Sequence, residues 1–237
     1  AHARAKNSGI SATSTLQATA GRDVTLTGSA LLTGGDASIT AGHNITVGSA
    51  VTFMERHAKR LDESSTTNHG STVAVGGNLA MTAGNDLTVA GSTVVAQNNA
   101  VLAAARNLSV TATQDTYSFH MRSSKSGGLG KSSSISIDKQ STTANAANVV
   151  AGGNLTLAAG NKADISSRAD VLVKGSQLQA GKTADISATG NVVFQAAQNS
   201  VFTSISKSSS SLFSASAKKQ ASGSVTQVAS SLLADNI

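Results

Sequence analysis

The sequence predicts an all-β parallel β-helix, a solenoid whose coils are about 21 residues long with three short strands each, carrying a β-hairpin at every second coil. Three observations predict it. A short turn-and-strand cassette recurs at fixed spacing, large side chains are nearly absent, and Ser- and Lys-rich segments interrupt the cassette at regular intervals.

The cassette from Gly76 reads GGNLAMTAGNDLTVAGS; it returns as GGDASITAGHNITVGS from Gly34 and GGNLTLAAGNKADIS from Gly152. Looser copies are AGRDVTLTGS from Ala20, AARNLSVTA from Ala104 and GKTADIS from Gly181. Each is a turn of Gly with Asn or Asp, then apolar–polar–apolar alternation, then a small residue. Gly21 and Gly42, Gly84 and Ala105, and Gly160 and Gly181 are each 21 positions apart, which reads as one full turn. On this spacing coil one runs from Ser14 to about Gly34 and coil two over 35–52. Coils three and four occupy about 77–116, and coils five and six about 153–200, with a slightly enlarged corner near Ala169.

Alternation sends one set of residues inward along each strand. The expected inward set is Leu16, Val24, Leu26, Ile39, Ile45 and Val47, then Leu79, Met81, Leu87 and Val89. It continues with Leu102, Leu108, Val110, Leu155, Leu157, Ile165, Val192 and Phe194. Asn and Gly at the corners supply the dihedrals that tight bends need.

Composition agrees. Aromatic residues make up 3% of the chain, and Trp, Pro and Cys are absent. A compact domain of this length would use large side chains to exclude water; Ala, Val, Leu and Ile suffice only for the narrow interior of a flattened coil. Without Cys there is no disulfide scaffold and no Cys-ligated metal. No stretch approaches the roughly 20 apolar residues of a spanning helix. With neither a signal peptide nor an initiating Met, residues 1–237 read as a single β-helix fragment of a longer repeat array.

The interruptions are expected at 53–75, 117–151 and 201–230. They hold four of the five Phe residues and the one Tyr. The second turns at Gly127-Gly128-Leu129-Gly130, and its arms alternate, as in Ser134-Ile135-Ser136-Ile137. The choice lies between projecting hairpins and a disordered Ser-rich loop, and spacing favours hairpins. Two coils advance a stack by about 9.6 Å, the width of one two-stranded hairpin, so successive hairpins can pair into a second sheet. Residues before Ser14 read as the returning arm of an earlier excursion. Those from Leu232 to Ile237 resemble the start of a coil pair at Val149, so the array is expected to continue on both sides.

Several motifs invite a chemical reading and fail its requirements. Lys125 to Ser132 resembles a phosphate-binding loop, but Lys125 stands where Gly is required and β sequence follows in place of a helix. His57 and His69 lie on opposite arms of the first excursion, a conceivable cross-strand pair without a third ligand. Catalysis of the polysaccharide-lyase kind needs clustered carboxylates. Asp23, Asp36, Asp86, Asp164, Asp170 and Asp185 instead recur mostly at turn positions. Asn44, Asn107 and Asn154 match a glycosylation sequon that the cassette generates automatically. The reading is a non-enzyme with no cofactor and no metal.

The formal net charge is +6, and the candidate contact residues are basic. They are Arg56, Lys59, Arg60, Arg122, Lys125, Lys131, Lys207, Lys218 and Lys219, with Lys139 beside them; the acids among them are Glu55, Asp62, Glu63 and Asp138. Stacked hairpins would align these cations into a stripe able to meet acidic glycan, lipopolysaccharide phosphate or lipid headgroups. Lys and Arg on exposed two-sided strands also keep such strands soluble and unpaired, the role the pattern alone favours. Nucleic acid is excluded, since almost no aromatics interleave for base stacking.

The cassette followed by Ala-Ala-Gln-Asn-Ser at 196–200 or Ala-Thr-Gln-Asp-Thr at 112–116, then a Ser/Lys-rich excursion, then the cassette again, resembles the haemagglutinin repeats of filamentous haemagglutinin and of contact-dependent growth inhibition exoproteins. The resemblance covers essentially the whole chain. It implies a right-handed, monomeric filament of a Gram-negative bacterium, exported by two-partner (type V) secretion through an outer-membrane transporter partner and displayed at the cell surface. It further implies one of two roles, an adhesin segment for cell–cell or host attachment, or a toxin-delivery segment acting at a target-cell outer membrane.

Overall fold

A computed structural model describes residues 8–160 and 168–237. The chain winds through six coils and begins a seventh. Coil one is β1 (Gly9–Ala12), β2 (Leu16–Ala20) and β3 (Val24–Thr27); coil two is β4 (Ala30–Thr33), β5 (Ala37–Ala41) and β6 (Ile45–Gly48). A hairpin, β7 (Ala50–Ala58) and β8 (Leu61–His69), follows. Coil three is β9 (Thr72–Val75), β10 (Leu79–Ala83) and β11 (Leu87–Ala90); coil four is β12 (Thr93–Ala96), β13 (Ala100–Ala104) and β14 (Leu108–Thr111). Hairpin two is β15 (Thr113–Ser126) and β16 (Ser132–Asn145). Coil five is β17 (Asn148–Ala151), β18 (Leu155–Ala159) and β19 (Val171–Lys174); coil six is β20 (Gln177–Ala180), β21 (Ala184–Ala188) and β22 (Val192–Gln195). Hairpin three, β23 (Ala197–Ser211) and β24 (Ser214–Val228), precedes β25 (Ser231–Leu233).

First strands stack in parallel into sheet A, second strands into sheet B and third strands into sheet C, each in chain order. The stacking aligns like with like. Ile39, Met81, Leu102 and Leu157 form one fully buried column in sheet B. Val47, Val89, Val110 and Val173 form another in sheet C, and Leu31, Val73, Val94, Val149 and Leu178 a third in sheet A. Each buried side chain of this size is worth about 1.5–3 kcal/mol, and each covers its neighbour one coil on.

The corners are as ordered as the strands. Between second and third strands, each backbone N–H donates to the side-chain oxygen of the Asx residue one coil below. The column runs Asp23, Asn44, Asp86, Asn107, Asp170, Asn191 without a break. Between first and second strands a matching column runs Asp36, Asn78, Asn99, Asn154 and ends on the N–H of Thr183. These columns satisfy backbone donors that a bend takes out of the ladder, and they explain why the cassette begins with Gly-Asn or Gly-Asp. Asp185 differs from the corner residues Asp23, Asp36, Asp86 and Asp170: it lies within β21.

The third corner uses another device. Gly28, Gly91 and Gly175 adopt positive φ of 56°, 53° and 55°, and each is followed by Ser. Ser71 and Ser92 are buried, and the N–H of Ser71 donates to Ser92 Oγ at 3.0 Å while Ser71 Oγ donates to the Gly48 carbonyl at 2.6 Å. A Cβ at Gly91 would stand 2.1 Å from Thr113 Oγ1, the first residue of hairpin two, so the glycine makes room for the hairpin above it.

All three hairpins leave from this corner and join edge to edge. The result is a fourth, antiparallel sheet in the order β7-β8-β15-β16-β23-β24. Their arms lie at 50–69, 113–145 and 197–228, against the expected 53–75, 117–151 and 201–230. Thr72–Val75 and Asn148–Ala151 belong to sheet A because their alternation places Val73, Val75, Val149 and Ala151 in the core.

Three further expectations are corrected. Gly9–Ala12 pairs in parallel with β4 and is a coil strand and not a returning hairpin arm; residues 1–7 of that segment lie outside the described residues. The spacing from Gly160 to Gly181 is not a coil, since Gly181 packs on Gly152. There the repeat lengthens from 21 positions to 29, because coil five carries extra residues between β18 and β19. Val192 and Phe194 continue the buried columns of Val171 and Val173 but are each 44% exposed, because β22 ends its sheet. Ile165 and Asp164 lie outside the described residues.

Candidate functional site

The hairpin sheet carries every candidate cation, and its register sorts them. Directly opposed residues of an antiparallel pair share a face, and successive residues alternate. Arg56, Lys125, Lys139, Lys207 and Lys218 fall on one face; Arg122 and Lys219 fall on the other. Lys59, Arg60 and Lys131 sit at hairpin turns. The expected single stripe is therefore divided into two.

On the first face, Lys207 lies between Ile135 and Lys218, and Lys125 is opposite Ser133. These residues bound a shallow concavity of about 650 Å³ with hydroxyls of Ser123, Ser209 and Ser216 on its walls. On the opposite face a row runs Arg122, Ser136, Ser206, Lys219. Beside it a groove of about 710 Å³ lies between the tip of hairpin one, with Lys59 and Arg60, and Arg122 on hairpin two. The Arg122 N–H donates to the Arg60 carbonyl at 2.9 Å, which fixes the turn against β15. Lys131 shares a smaller concavity of about 430 Å³ with Lys125.

Charge is segregated along the hairpins as well. Residues 122–136 and 204–220, the outer halves of hairpins two and three, hold Arg122, Lys125, Lys131, Lys207, Lys218 and Lys219 and no acid. Hairpin one mixes Arg56, Lys59 and Arg60 with Glu55, Asp62 and Glu63. The Tyr117 hydroxyl donates to Glu63 at 3.1 Å; burial and that neighbouring carboxylate together hold the phenol above its ordinary range.

Hydroxyls tie the outer sheet across strands, with Ser132 to Ser210 and Ser134 to Ser208 each at 2.7 Å and Ser209 to Ser216 at 2.8 Å. The ends of hairpins two and three carry exposed apolar residues. Leu129 is 82% exposed with a positive φ of 60°, and Leu212 and Phe213 are 66% and 94% exposed. The stretch from Lys125 to Ser132 is a hairpin turn, closed by the Gly127 N–H to the Lys131 carbonyl at 2.8 Å.

The Gln-Asp-Thr and Gln-Asn-Ser segments acquire a role that their sequence did not reveal. Asp115 accepts the Asn68 N–H at 2.7 Å and its side-chain amide at 3.0 Å, joining hairpin two to the returning arm of hairpin one. Asn199 accepts the Ala144 N–H at 2.7 Å, joining hairpin three to hairpin two. Burial raises the Asp115 pKa, but the bonds from Asn145 and Asn68 outweigh it, and the carboxyl lies below its ordinary range.

His57 and His69 are not brought together: His57 opposes Asp62, whereas His69 opposes Ala50 at the hairpin base. Among the described residues no group of three His, Asp or Glu is placed to hold a metal ion. The arrangement offers cations, hydroxyls and apolar tips on an open sheet, which is a surface for contact.

A family model described as "Hemagglutinin repeat" matches residues 1–61, 53–140 and 127–234. No curated protein and no solved structure shows significant similarity to the chain. The three matched stretches each span about one pair of coils with its hairpin, the same unit that the stacking defines. The chain belongs to the hemagglutinin-repeat family.

Proposed function

We propose that the chain is a segment of a filamentous, secreted bacterial exoprotein in which the solenoid is a rod and the hairpin sheet is the adhesive surface. The ligand class is an anionic polymer such as an acidic glycan or lipopolysaccharide, and the rod reaches the cell surface through an outer-membrane transporter partner. The observation that carries this reading is the outer half of hairpins two and three, where six cations stand on an open sheet without a single acid. A purely solubilising role would be served equally well by mixed charge, as on hairpin one.

The division into two faces makes the test specific. Lys125→Glu, Lys207→Glu and Lys218→Glu together reverse one face, and Arg122→Glu with Lys219→Glu reverses the other. Binding to a heparin-like glycan and to lipopolysaccharide is measured over a salt series. The first set is expected to weaken binding at least tenfold and to flatten its salt dependence, with the second set weakening it less. Unchanged binding in both sets removes the adhesive reading.

A second reading rests on the hairpin tips. Leu129, Leu212 and Phe213 are exposed apolar residues at the turns of hairpins two and three, Leu129 two positions from Lys131 and Leu212 against Gly130, a combination of apolar tips and cations suited to the interface of an anionic bilayer. It favours a delivery segment of a growth-inhibition toxin acting at a target-cell outer membrane. Phe213→Ser with Leu212→Ser separates the two. Loss of vesicle binding with glycan binding intact supports delivery, and glycan binding with vesicle binding unchanged by the substitutions supports adhesion.

A further inference from the structure

Midway along the hairpin sheet, one face carries an apolar row. Leu61 on β8 opposes Met121 on β15, Met121 opposes Ile137 on β16, and Ile137 opposes Ile205 on β23. All four are half-buried, and among the described residues none belongs to the solenoid core or packs against it. Ile135, two residues nearer the tip of β16, carries the apolar surface into the concavity bounded by Lys125, Lys207 and Lys218. At the same level the reverse of the sheet is polar, with His57, Asp62, His120, Asp138 and Ser204. Apolar residues on one face and polar ones on the other mark a sheet with one covered side.

The cations beside the row stand against their own repulsion. Lys207 and Lys218 are directly opposed on β23 and β24, a position in which like charges destabilise the pair. Neither forms an ion pair among the described residues. The acids of this face of the sheet, Glu63 and Asp115, are engaged by Tyr117 and Asn68. An anion from outside the chain relieves the repulsion. Lys207 is two residues from Ile205, so the cation pair lies at one end of the apolar row. From there the row crosses four strands, a width of about 14 Å.

We propose that this face of the hairpin sheet binds a phosphate-bearing lipid, with the phosphate between Lys207 and Lys218 and an acyl chain along Ile205, Ile137, Met121 and Leu61. The inference rests on the reading of the sheet as the contact surface and names lipid as what that surface meets. An acidic glycan would neutralise the lysines but leave the row in water. A second copy docked through the same face would bring the same lysines to it and add to the repulsion.

The chain has no Trp, so a single reporter can be placed on either face. Ile137→Trp probes the row and Ser136→Trp the reverse of the sheet. With vesicles of brominated phosphatidylglycerol, the 137 reporter is expected to be quenched more strongly than the 136 reporter. Equal quenching, or none, overturns the lipid site. Phosphatidylcholine vesicles are expected to bind more weakly, since they present no net negative surface to the lysines; equal binding to the two vesicle types overturns the phosphate contact and with it the proposal.

A second comparison separates the lipid site from the reading on which it rests. Ile137→Ser with Ile205→Ser is expected to weaken binding to phosphatidylglycerol vesicles about tenfold and to leave binding to a heparin-like glycan unchanged. Lys207→Glu with Lys218→Glu is expected to weaken both. If the isoleucine pair leaves vesicle binding unchanged, or weakens glycan binding equally, the lipid site is overturned and the adhesive reading stands on the lysines. If the lysine pair leaves both unchanged, the contact surface and the lipid site fall together.

Discussion

The solenoid and the hairpin sheet are built by one chain from the same pairing chemistry, yet they are held together in different ways. A coil strand buries alternate residues in columns such as Ile39, Met81, Leu102 and Leu157, and its corners are closed by columns of Asx and Ser side chains. A hairpin strand such as β24 is exposed along nearly its whole length. Its stability comes from the ladder itself, from hydroxyl pairs such as Ser209 with Ser216, and from ties at the base by Asp115 and Asn199. The difference teaches where tolerance lies. The rod fixes what stands at each position of the cassette, and the sheet leaves its outer residues free to serve recognition.

Three measurements break or sharpen that contrast. The largest effect is expected inside the rod: Leu102→Ala removes a fully buried side chain between Met81 and Leu157 and should cost about 2–5 kcal/mol in denaturant unfolding. A cost below that of a surface change would mean that the column is not the source of stability. Next come the corners. Asn107→Ala removes the acceptor of the Asp170 N–H and should cost about 1 kcal/mol, with Asn107→Asp recovering most of that loss because it restores the acceptor.

The smallest effect belongs to the hairpin base. The lowered Asp115 pKa means that its tie contributes above the unfolded carboxylate value and is lost as pH falls through the folded one. Exchange at Asn68 should therefore accelerate on acidification below about pH 4, and Asp115→Asn should abolish that acceleration.

How much of this was legible in the sequence varies with the physical origin of each feature. Alternation in GGNLAMTAGNDLTVAGS marks a strand whose partner is its own copy, so coil, stacking axis and inward columns follow directly; the columns of Leu79, Met81, Leu87 and Val89 lie where alternation places them. The hairpin sheet followed from a length match between two coils and one hairpin. What failed was distance along the chain where the repeat is irregular. The spacing of Gly160 and Gly181 imitated a coil because extra residues in coil five shifted the true partner to Gly152.

The corner Gly-Ser pairs stood in the quoted cassettes but read only as a small residue, since nothing local distinguishes a positive-φ glycine beneath a hairpin from any turn glycine. The division of cations between two faces was likewise hidden. It depends on whether each Lys is odd or even relative to a partner on another strand, and turn lengths set that parity.

Consider again the corner at which Gly28, Gly91 and Gly175 alternate with hairpins. Arms of 9, 14 and 15 residues leave from the same place, and the columns on either side keep their alignment: Leu31 meets Val73, Val94 meets Val149, and Leu178 meets Leu232. The corner is a port. It accepts inserts of unequal length and returns the chain to the same address, so hairpins can be exchanged or lengthened without retuning the rod. A lineage could diversify its outer surface by swapping such inserts, and a designer could graft a foreign hairpin at the same junction.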